Sequence, residues 1–577
     1  MLIVTCVLLG SVLLLLVSSM RSLFSKGLSS IPGPRLAAVS NLWYAYHIRN
    51  GRLLQLATTL HKKYGPAVRV GPNEVWFDSP EAFKVIYRST ALFRPEMDWK
   101  RPFQFTFPDI LDLLSERDMK RYRMQRRAIG PVYHEASMQK FSRAVDDVMA
   151  KVVVELKTCN GKEVDLKEWM HIVAVENLSA VVLSWSPHFL RSHTDFGSSS
   201  ASYYKWRRKS VMGLFPPLVV AEFHAGWVGN AVAYLAGLGY TTAANYKSFF
   251  PAVGLRISSR IRKYFKAKEA AQPADAGRVA SEIPASTSEF FSTEDKQAWG
   301  GKQKPQKPQK TQKVALPAAN RDLMGDLLDL HHAKPDVFPE YDMRRMAVTN
   351  FGAGHETMCS ALTAAMSMIA SHPDVFAAVA KEVRARPAHS GNKGQPAMSA
   401  RDTMAAFPYT IAAIREAQRL HPAIGMSLPR VVPDDGQPVE LHGFKLPPGT
   451  IVGCSPPALH RNKEIFGEDA DAFRPSRWLE ADPQQRRVME RINLTWGGGA
   501  RTCPGRYLAE MVVYKAVVAL IRAFDVEVKM PPDEEIRYYF LAMLTGVKAN
   551  FHAAEKAKSS ETMEQKGDSG DEREVRP

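Results

Sequence analysis

The chain is dominated by long stretches in which apolar residues recur at helical spacing. The stretch from Arg506 to Phe524 predicts a helix with one face packed inward. The stretch from Tyr341 to Ala370 predicts a longer helix that ends before His372 and Pro373. The inward positions are Leu508, Met511, Val512, Ala516, Ala519 and Leu520 in the first stretch and Met358, Leu362, Ala365 and Ile369 in the second.

Shorter patterns predict a few strands and a basic helix. The runs from Ala67 to Val70 and from Glu74 to Phe77 are rich in β-branched and aromatic residues and flank a Gly-Pro-Asn turn, which predicts two strands. The basic run from Arg117 to Arg127 predicts a helix. Tyr122 and Arg126 are one helical turn apart, so they lie on the same face of it.

The N-terminus is almost continuously apolar from Leu2 to Ser19, and Arg21 and Lys26 follow it. This length is close to the ~20 residues that a membrane-spanning helix needs. A cleaved secretory signal is the rival interpretation, but no Lys or Arg precedes the apolar run. Positive charge on the C-terminal side alone favours an uncleaved anchor with a cytosolic domain behind it. We therefore predict an anchor at residues 1–20 and a basic, proline-containing hinge at residues 21–35.

Composition narrows the class of protein only slightly. The 577 residues are 45% hydrophobic and 23% charged, a balance typical of globular proteins. The cysteines are odd in number, scattered and without a Cys-x-x-Cys pair, so neither a zinc site nor a disulfide framework is indicated, and a reducing compartment fits best. They are Cys6, Cys159, Cys359, Cys454 and Cys503.

The net charge of +17 raises the question of nucleic acid. Part of this charge lies in a tract of Lys, Gln and Pro between Lys302 and Lys313, and no zinc finger, RNA-binding signature or recognition helix accompanies it. We expect no nucleic-acid partner, because an anionic membrane or an acidic electron-transfer protein also suits a basic surface. The polar composition around this tract predicts a disordered insertion at 267–320 within a catalytic domain at 36–553. A disordered, charged tail is expected at 554–577.

Cys503 lies between a glycine-rich loop, Gly497 to Gly499, and the predicted helix that begins near Arg506. A cysteine just before a helix N-terminus lies near the positive end of the helix dipole and near free N–H groups, and both favour a thiolate. Glycines have no Cβ, so they let the backbone approach a flat partner closely. Arg501 could reach an anionic group on that partner. The alternative is an ordinary buried cysteine after a turn.

The segment from Trp496 to Gly505 resembles the haem-binding loop of the cytochrome P450 superfamily, with the pattern Phe-x-x-Gly-x-Arg-x-Cys-x-Gly. Gly499, Arg501, Cys503 and Gly505 match this pattern, and Trp496 stands where the family usually has Phe. The resemblance implies the cytochrome P450 haem-thiolate fold, which is mostly α with small β-sheets, behind an N-terminal transmembrane helix. It also implies haem b as the cofactor, with Cys503 as the axial thiolate ligand of the iron.

Residues 353–357 read Ala-Gly-His-Glu-Thr and resemble the family signature Ala-Gly-x-(Asp/Glu)-Thr. The resemblance implies that Gly354 permits a local widening of the helix where dioxygen fits. It further implies that Thr357 hydrogen-bonds dioxygen and that Glu356 helps to relay protons. His355 occupies a variable position and is expected to be a packed or exposed histidine. Without the Cys503 loop, a routine Glu-Thr pair on a helix surface would be an equal alternative.

The same resemblance assigns residues that bind the haem propionates. Arg126 would contact a propionate, and Tyr122 would take the neighbouring aromatic position with its hydroxyl as a donor. Arg430 would bind a propionate, and Ala423 to Leu428 would form a strand that lines the substrate pocket. A solvated, charged face is the alternative for the basic helix around Tyr122 and Arg126.

A structural network is also implied. Glu416 and Arg419 lie on one helical face and are followed by Leu-His-Pro, which matches the family's Glu-x-x-Arg motif. Arg477 is the expected third member, with Ser476 in place of a usual Glu. We expect this network to be structural rather than catalytic, because a buried charge network is costly to break.

The implied activity is that of a microsomal haem-thiolate monooxygenase that hydroxylates or otherwise oxidises a lipophilic small molecule, as fungal members in secondary metabolism do. No flavin or dinucleotide signature is present, so a separate NADPH–cytochrome P450 reductase is the expected electron donor, with cytochrome b5 as a second candidate. Oxidative phenol coupling, desaturation or ring formation is the alternative reaction, and a membrane-tethered haem sensor is the alternative of another class. The expected location is the endoplasmic reticulum membrane, as a single-pass protein with a cytosolic catalytic domain.

Overall fold

The computed structural model describes residues 27–88, 113, 116, 118–271, 322–386, 397–434 and 439–554. The predicted anchor, the hinge before residue 27, the insertion beyond residue 271 and the tail beyond residue 554 lie outside these residues. Within the described ranges, no single helix is long and apolar enough to span a membrane. Glu340–Ala370 and Pro373–Arg384 meet that requirement only as a pair, with a bend of 107° between them.

Helices make up most of the described chain, as predicted. They are α1 Arg35–Val39, α2 Leu42–Arg49, α3 Leu53–Tyr64, α4 Pro80–Phe83, α5 Met119–Ile129, α6 Glu135–Met138, α7 Ser142–Thr158, α8 Leu166–Leu183, α9 Phe189–Ser192, α10 Ser198–Met212, α11 Pro216–His224, α12 Gly226–Leu235, α13 Phe250–Ala271, α14 Leu323–Ala333, α15 Glu340–Ala370, α16 Pro373–Arg384, α17 Ala400–Ala406, α18 Pro408–Leu420, α19 Pro456–Leu459, α20 Lys463–Phe466, α21 Arg477–Glu480, α22 Pro483–Ile492 and α23 Arg506–Ala523. A π-helical turn covers Lys84–Arg88, and 3₁₀ turns cover Gln139–Phe141, Leu494–Trp496, Gly499–Arg501 and Asp533–Glu535.

The strands are short and lie beside the helices. They are β1 Ala67–Gly71, β2 Glu74–Phe77, β3 Val164–Asp165, β4 Arg430–Val431, β5 Val439–Leu441, β6 Phe444–Leu446, β7 Ile451–Gly453, β8 Phe524–Lys529 and β9 Lys548–Ala553. In the described part of the chain they form sheets in the orders β1-β2-β7-β4, β3-β9-β8 and β5-β6. The antiparallel β1–β2 pair is the predicted strand–turn–strand unit, and β7 joins β2 in parallel.

The core lies around α15, which packs against α8, α18 and α23. Nearly every residue of α8 is buried, as expected for a helix that is apolar on all sides. The predicted inward stripes of α15 and α23 are buried, except that Ala519 is partly accessible. The predicted end of α23 is also nearly right, because Phe524 begins β8 directly after it.

The described part of the hinge packs against β1 rather than standing free. The N–H of Arg69 donates to the carbonyl of Pro32 at 2.8 Å. A Cβ on Gly33 would lie 2.3 Å from the carbonyl oxygen of Arg69, so only glycine fits there. The chain that enters the domain is therefore fixed to the edge of the first sheet.

One expectation about local structure is wrong. The segment Ala423 to Leu428 is irregular, and the strand begins only at Arg430. The reason is that its N–H groups bond two different neighbours, Gly425 the carbonyl of Phe540 and Leu428 that of Cys454, so no continuous ladder forms. Helix α23, by contrast, begins at Arg506, where the sequence predicted it, with Gly505 as its N-cap.

Candidate active site

Cys503 is held at the end of a tight loop. Its N–H donates to the carbonyl of Trp496 at 2.8 Å, which closes the loop. Gly497 and Gly499 have φ angles of 76° and 63°, in the left-handed region that favours glycine. At Gly498 a Cβ would lie 2.9 Å from the Cβ of Tyr87. The backbone of the loop therefore requires Gly497 and Gly499, and the contact with Tyr87 requires Gly498.

The Cys503 thiol lies inside the protein and is still accessible. The surrounding protein raises the pKa of this thiol, whereas the N–H of Gly505 and the charges of Arg126 and Arg506 lower it. The thiol is accessible to solvent although protein surrounds it. It therefore lies on the wall of an internal space. The cations and the N–H group around that space favour the thiolate.

The other described cysteines lie in different surroundings. Cys359 is fully buried in α15, its S–H donates to the carbonyl of Lys167 at 3.4 Å, and burial raises its pKa to about 12. Burial also raises the pKa of Cys454 and, with the help of the Glu155 charge, that of Cys159. Among the cysteines that the structure describes, Cys503 therefore has the surroundings best suited to bind a metal ion as a thiolate.

A second wall of accessible atoms lies in the middle of α15. Gly352 and Ala353 are exposed and Thr357 is half-buried, although most of the helix beyond them is buried. A Cβ on Gly352 would meet nothing within 4 Å, so open space lies beside the helix there. The Thr357 hydroxyl donates to the carbonyl of Ala353 at 2.7 Å. Thr357 thus borders this space, with its hydroxyl satisfied within the helix.

Glu356 points away from solvent and towards α10. Its carboxylate accepts hydrogen bonds from the Ser202 hydroxyl and from the indole N–H of Trp206. Burial raises the pKa of Glu356 to about 7, against the opposing effects of Trp206, Lys209 and Lys205. The sequence interpretation missed Ser202 and Trp206; their spacing of one helical turn was the available signal.

Tyr122 and Arg501 brace the Cys503 loop. The Tyr122 hydroxyl donates to the carbonyl of Ala500 at 3.0 Å, and the Arg501 guanidinium lies 3.9 Å from the centre of the Tyr122 ring. Arg501 also donates to the carbonyls of Leu113 and Glu116. In this structure both side chains therefore bond the protein backbone rather than point to an open site.

Arg126 and Arg430 supply positive charge near the same loop. Both of their charges lower the pKa of Tyr122, although its burial has the larger, opposite effect. Arg430 is buried, donates to the carbonyl of Pro429 at 2.9 Å and lies over the Tyr87 ring. Arg126 is half-buried, and within the described ranges its side chain forms no hydrogen bond or ion pair.

These features fit a haem. Cys503 offers an accessible sulfur for the iron, and the exposed atoms of Gly352 and Ala353 leave room beside α15. Arg126 offers a cation without a protein partner among the described residues, as a haem propionate requires. The donor set is one sulfur with nearby cations; no cluster of three or more His, Cys, Asp or Glu in the described chain could hold a metal ion alone.

The predicted Glu-Arg-Arg network is present and buried. Arg419 lies 2.7 Å from Glu416, and Arg477 lies 3.2 Å from the same carboxylate. The Trp478 indole N–H donates to Glu416 at 2.9 Å. Burial would raise the pKa of Glu416, but Arg419 and Arg477 hold it below its ordinary value. The carboxylate is therefore ionised at neutral pH.

Comparison with known proteins places these residues in a family. The cytochrome P450 family model matches residues 301–549, which include Glu356, Thr357 and Cys503. The chain is 48% identical over 545 residues to cytochrome P450 monooxygenase sdnT of Sordaria araneosa, with 91% of each chain covered. It is 28% identical over 514 residues to pisatin demethylase of Fusarium vanettenii, with 88% of this chain and 85% of the relative covered. It is 27% identical over 523 residues to a cytochrome P450 monooxygenase of Aspergillus terreus, with 89% and 93% covered.

Proposed function

The chain belongs to the cytochrome P450 family of haem-thiolate oxygenases, and we propose that it is a membrane-bound monooxygenase that oxidises a lipophilic small molecule in fungal secondary metabolism. The observation that carries this proposal is the accessible Cys503 thiol beside Arg126, at the start of a helix that packs against α15. The fungal monooxygenases among its relatives support the biological setting.

The site residues divide into those that hold the cofactor and those that handle protons. Cys503 would bind the iron as a thiolate, and Arg126 and Arg430 would bind propionate carboxylates. Trp496, Gly499, Arg501 and Tyr122 would support this arrangement by shaping the loop. The bound haem supplies the chemistry of dioxygen activation, in which a thiolate ligand favours O–O cleavage.

Glu356 and Thr357 would deliver protons to the reacting oxygen. A general acid is most effective when its pKa lies near the working pH, and burial raises that of Glu356 to about 7. Ser202 and Trp206 hold its carboxylate in place. Thr357 would present its hydroxyl oxygen, one helical step away, on the open side of α15.

The substrate is proposed to be apolar because of the segment before β4. Ile424, Met426 and Leu428 are partly accessible, while Gly425 and Ser427 between them are buried. Three partly accessible apolar side chains within five residues provide apolar surface for a lipophilic molecule. Electrons are proposed to come from a separate NADPH–cytochrome P450 reductase, with cytochrome b5 as an additional donor.

Replacing Glu356 with glutamine is expected to lower product formation about a hundredfold, because the amide keeps the shape of the side chain and loses the acidic proton. NADPH consumption should continue, with hydrogen peroxide released instead of product. In the wild type, product per NADPH should fall as the pH rises through about 7, where the raised pKa of Glu356 leaves the carboxyl unprotonated. The measurement is product, peroxide and NADPH in a reductase-supported assay.

Thr357→Ser is the matched control, because serine keeps the hydroxyl. Labelled dioxygen separates the reactions: label in the product indicates monooxygenation, and an unlabelled product indicates coupling, desaturation or ring formation. A ligand that binds without stimulating NADPH consumption under any condition would instead indicate a haem sensor.

We also propose that the protein is a single-pass endoplasmic reticulum protein with a cytosolic catalytic domain. The apolar segment from Leu2 to Ser19 supplies the anchor. Among the described residues, α1, α2 and α12 expose large apolar side chains, and Arg49 at the end of α2 donates to the carbonyl of Ala236, directly after α12. These side chains are Leu36, Leu42, Tyr46, Trp227, Tyr234 and Leu235. These exposed side chains on neighbouring helices support a face that contacts the membrane.

Replacing Leu13 and Leu15 with arginine is expected to release the protein from membranes during alkaline carbonate extraction. Each arginine near the centre of a membrane span costs about 3 kcal/mol, so the pair should prevent stable insertion. Leu23→Arg, outside the apolar run, is the control and should remain in the membrane pellet. A mature protein that lacks these N-terminal residues would show a cleaved signal and contradict the anchor.

A further inference from the structure

A buried chain of hydrogen-bonding groups connects three separate elements beside Glu356. His171 on α8 lies with its Nδ1 atom 2.9 Å from an oxygen of Asp195. Its Nε2 atom lies 2.9 Å from Nδ1 of His355 on α15. All three side chains are at most 2% exposed. Nothing in the proposed chemistry uses these groups, although His355 is directly next to Glu356 in the sequence.

The surroundings of Asp195 and His355 limit the protonation states that these two groups can adopt. Burial raises the pKa of Asp195. The hydrogen bond and charge of His171 and the hydrogen bonds of Ser199 lower this pKa by more, so Asp195 is an ionised acceptor. Burial, assisted by the charge of His171, lowers the pKa of His355 well below its ordinary value, so this ring is neutral. Nδ1 of His171 lies within ion-pair distance of the Asp195 carboxylate, so a proton on this nitrogen would face Asp195. When His171 is neutral, His355 donates to its other nitrogen.

Asp195 connects this chain to α10. Its carboxylate accepts the N–H of Ser199 at 2.8 Å, and its carbonyl accepts the N–H of Ser198 at 3.1 Å, so it caps the first turn of α10. Further along the same helix, Ser202 and Trp206 contact Glu356. Helix α10 thus meets α15 twice, once through the buried chain and once at the acid.

We propose that Asp195, His171 and His355 are positioning residues for Glu356. They fix the first turn of α10 against α15 and so keep Ser202 and Trp206 in contact with the acid. This inference rests on the proposed role of Glu356 in proton delivery and adds the residues that maintain its environment.

The charges around the acid set the expected effect of losing this support. The charges of Lys209 and Lys205 on α10 lower the pKa of Glu356. The charge of Glu356 in turn raises the pKa of Cys359 on α15. On the far side, the charges that act on His355 are those of His171 and Asp195. A loosened α10 would admit water to Glu356, so its raised pKa should fall towards the ordinary carboxyl range.

The test compares His355→Leu with His355→Asn in the full chain. The asparagine side-chain nitrogen can take the place of Nδ1, whereas leucine has no polar atom. By hydrogen-exchange mass spectrometry, His355→Leu is expected to exchange on the order of tenfold faster than wild type in the first turn of α10, which corresponds to one lost buried hydrogen bond. His355→Asn should exchange as wild type does. In the reductase-supported assay, the product formed per NADPH consumed should begin to fall at a pH below about 7 in His355→Leu, and not in His355→Asn.

Two results would overturn the proposal. Unchanged exchange in His355→Leu would show that the chain does not hold α10. Equal effects of leucine and asparagine would show that ring packing against Phe249 and Phe250 matters, and not the hydrogen bond. The hydrogen-exchange comparison needs no turnover, so it decides the positioning of α10 even if the proposed oxygenase activity fails. If the wild type forms no product in the reductase-supported assay, the proposed oxygenase activity fails, whatever the hydrogen-exchange result.

Discussion

Replacing Cys503 with serine is expected to abolish the reduced, carbon-monoxide difference band of a thiolate-ligated haem and all product formation. A serine hydroxyl is far less acidic than a thiol. Burial raises the pKa of the Cys503 thiol, and the Gly505 N–H and the charges of Arg126 and Arg506 oppose that effect and favour the thiolate. Replacing Cys359 with alanine is expected to leave the band in place, because that sulfur donates to the carbonyl of Lys167 inside α15. The spectrum of each variant in isolated membranes is the measurement.

This pair of variants distinguishes the accessible Cys503 from the buried Cys359 on α15. Both changes remove one sulfur, but only Cys503 is accessible to a ligand. A thiolate band that persists in Cys503→Ser, or that disappears in a folded Cys359→Ala protein, would assign the ligand to Cys359. A shifted band in Cys503→Ser would show that haem still binds and that the thiolate alone is lost.

Local spacing predicted those parts of the site that lie within one helix or one loop. Glu416 and Arg419 are three residues apart on α18, so the helix alone brings them together. The glycines before Cys503 likewise have φ values that only their own short loop imposes. In such segments the sequence contains nearly all of the geometric information.

Contacts between distant elements were not predictable in this way. Ser202 and Trp206 lie 154 and 150 residues from Glu356, and His171 lies 184 residues from His355. Their meeting depends on how α8 and α10 pack against α15, which no local pattern specifies. Tyr122 illustrates the same limit: its face of the helix and its role as a hydroxyl donor were predicted, but its bond to the carbonyl of Ala500, 378 residues away, was not.

Replacing Glu416 with glutamine is expected to cost about 3–5 kcal/mol of folding free energy, because it leaves Arg419 charged and fully buried without its counterion. That is a large fraction of the ~5–15 kcal/mol by which a typical domain is stable. Arg477 and the Trp478 indole donate to different oxygens of Glu416, and glutamine keeps only one of these acceptors, so one of the two donors would face an amide N–H₂. The measurement is thermal or denaturant unfolding, together with the amount of haem-loaded protein recovered.

The pH dependence of this loss distinguishes a lost charge from a lost shape. The folded-state pKa of Glu416 is lowered, so its stabilisation is present above the ordinary value of 4.5 and is lost as the pH falls through the lowered value. The difference between wild type and Glu416→Gln should therefore be largest at neutral pH and shrink in acid. Glu468→Gln makes the same substitution in the exposed Lys463–Glu468 pair, where solvent screening should leave stability almost unchanged. Equal losses in the two variants would contradict a buried network that supports the haem loop.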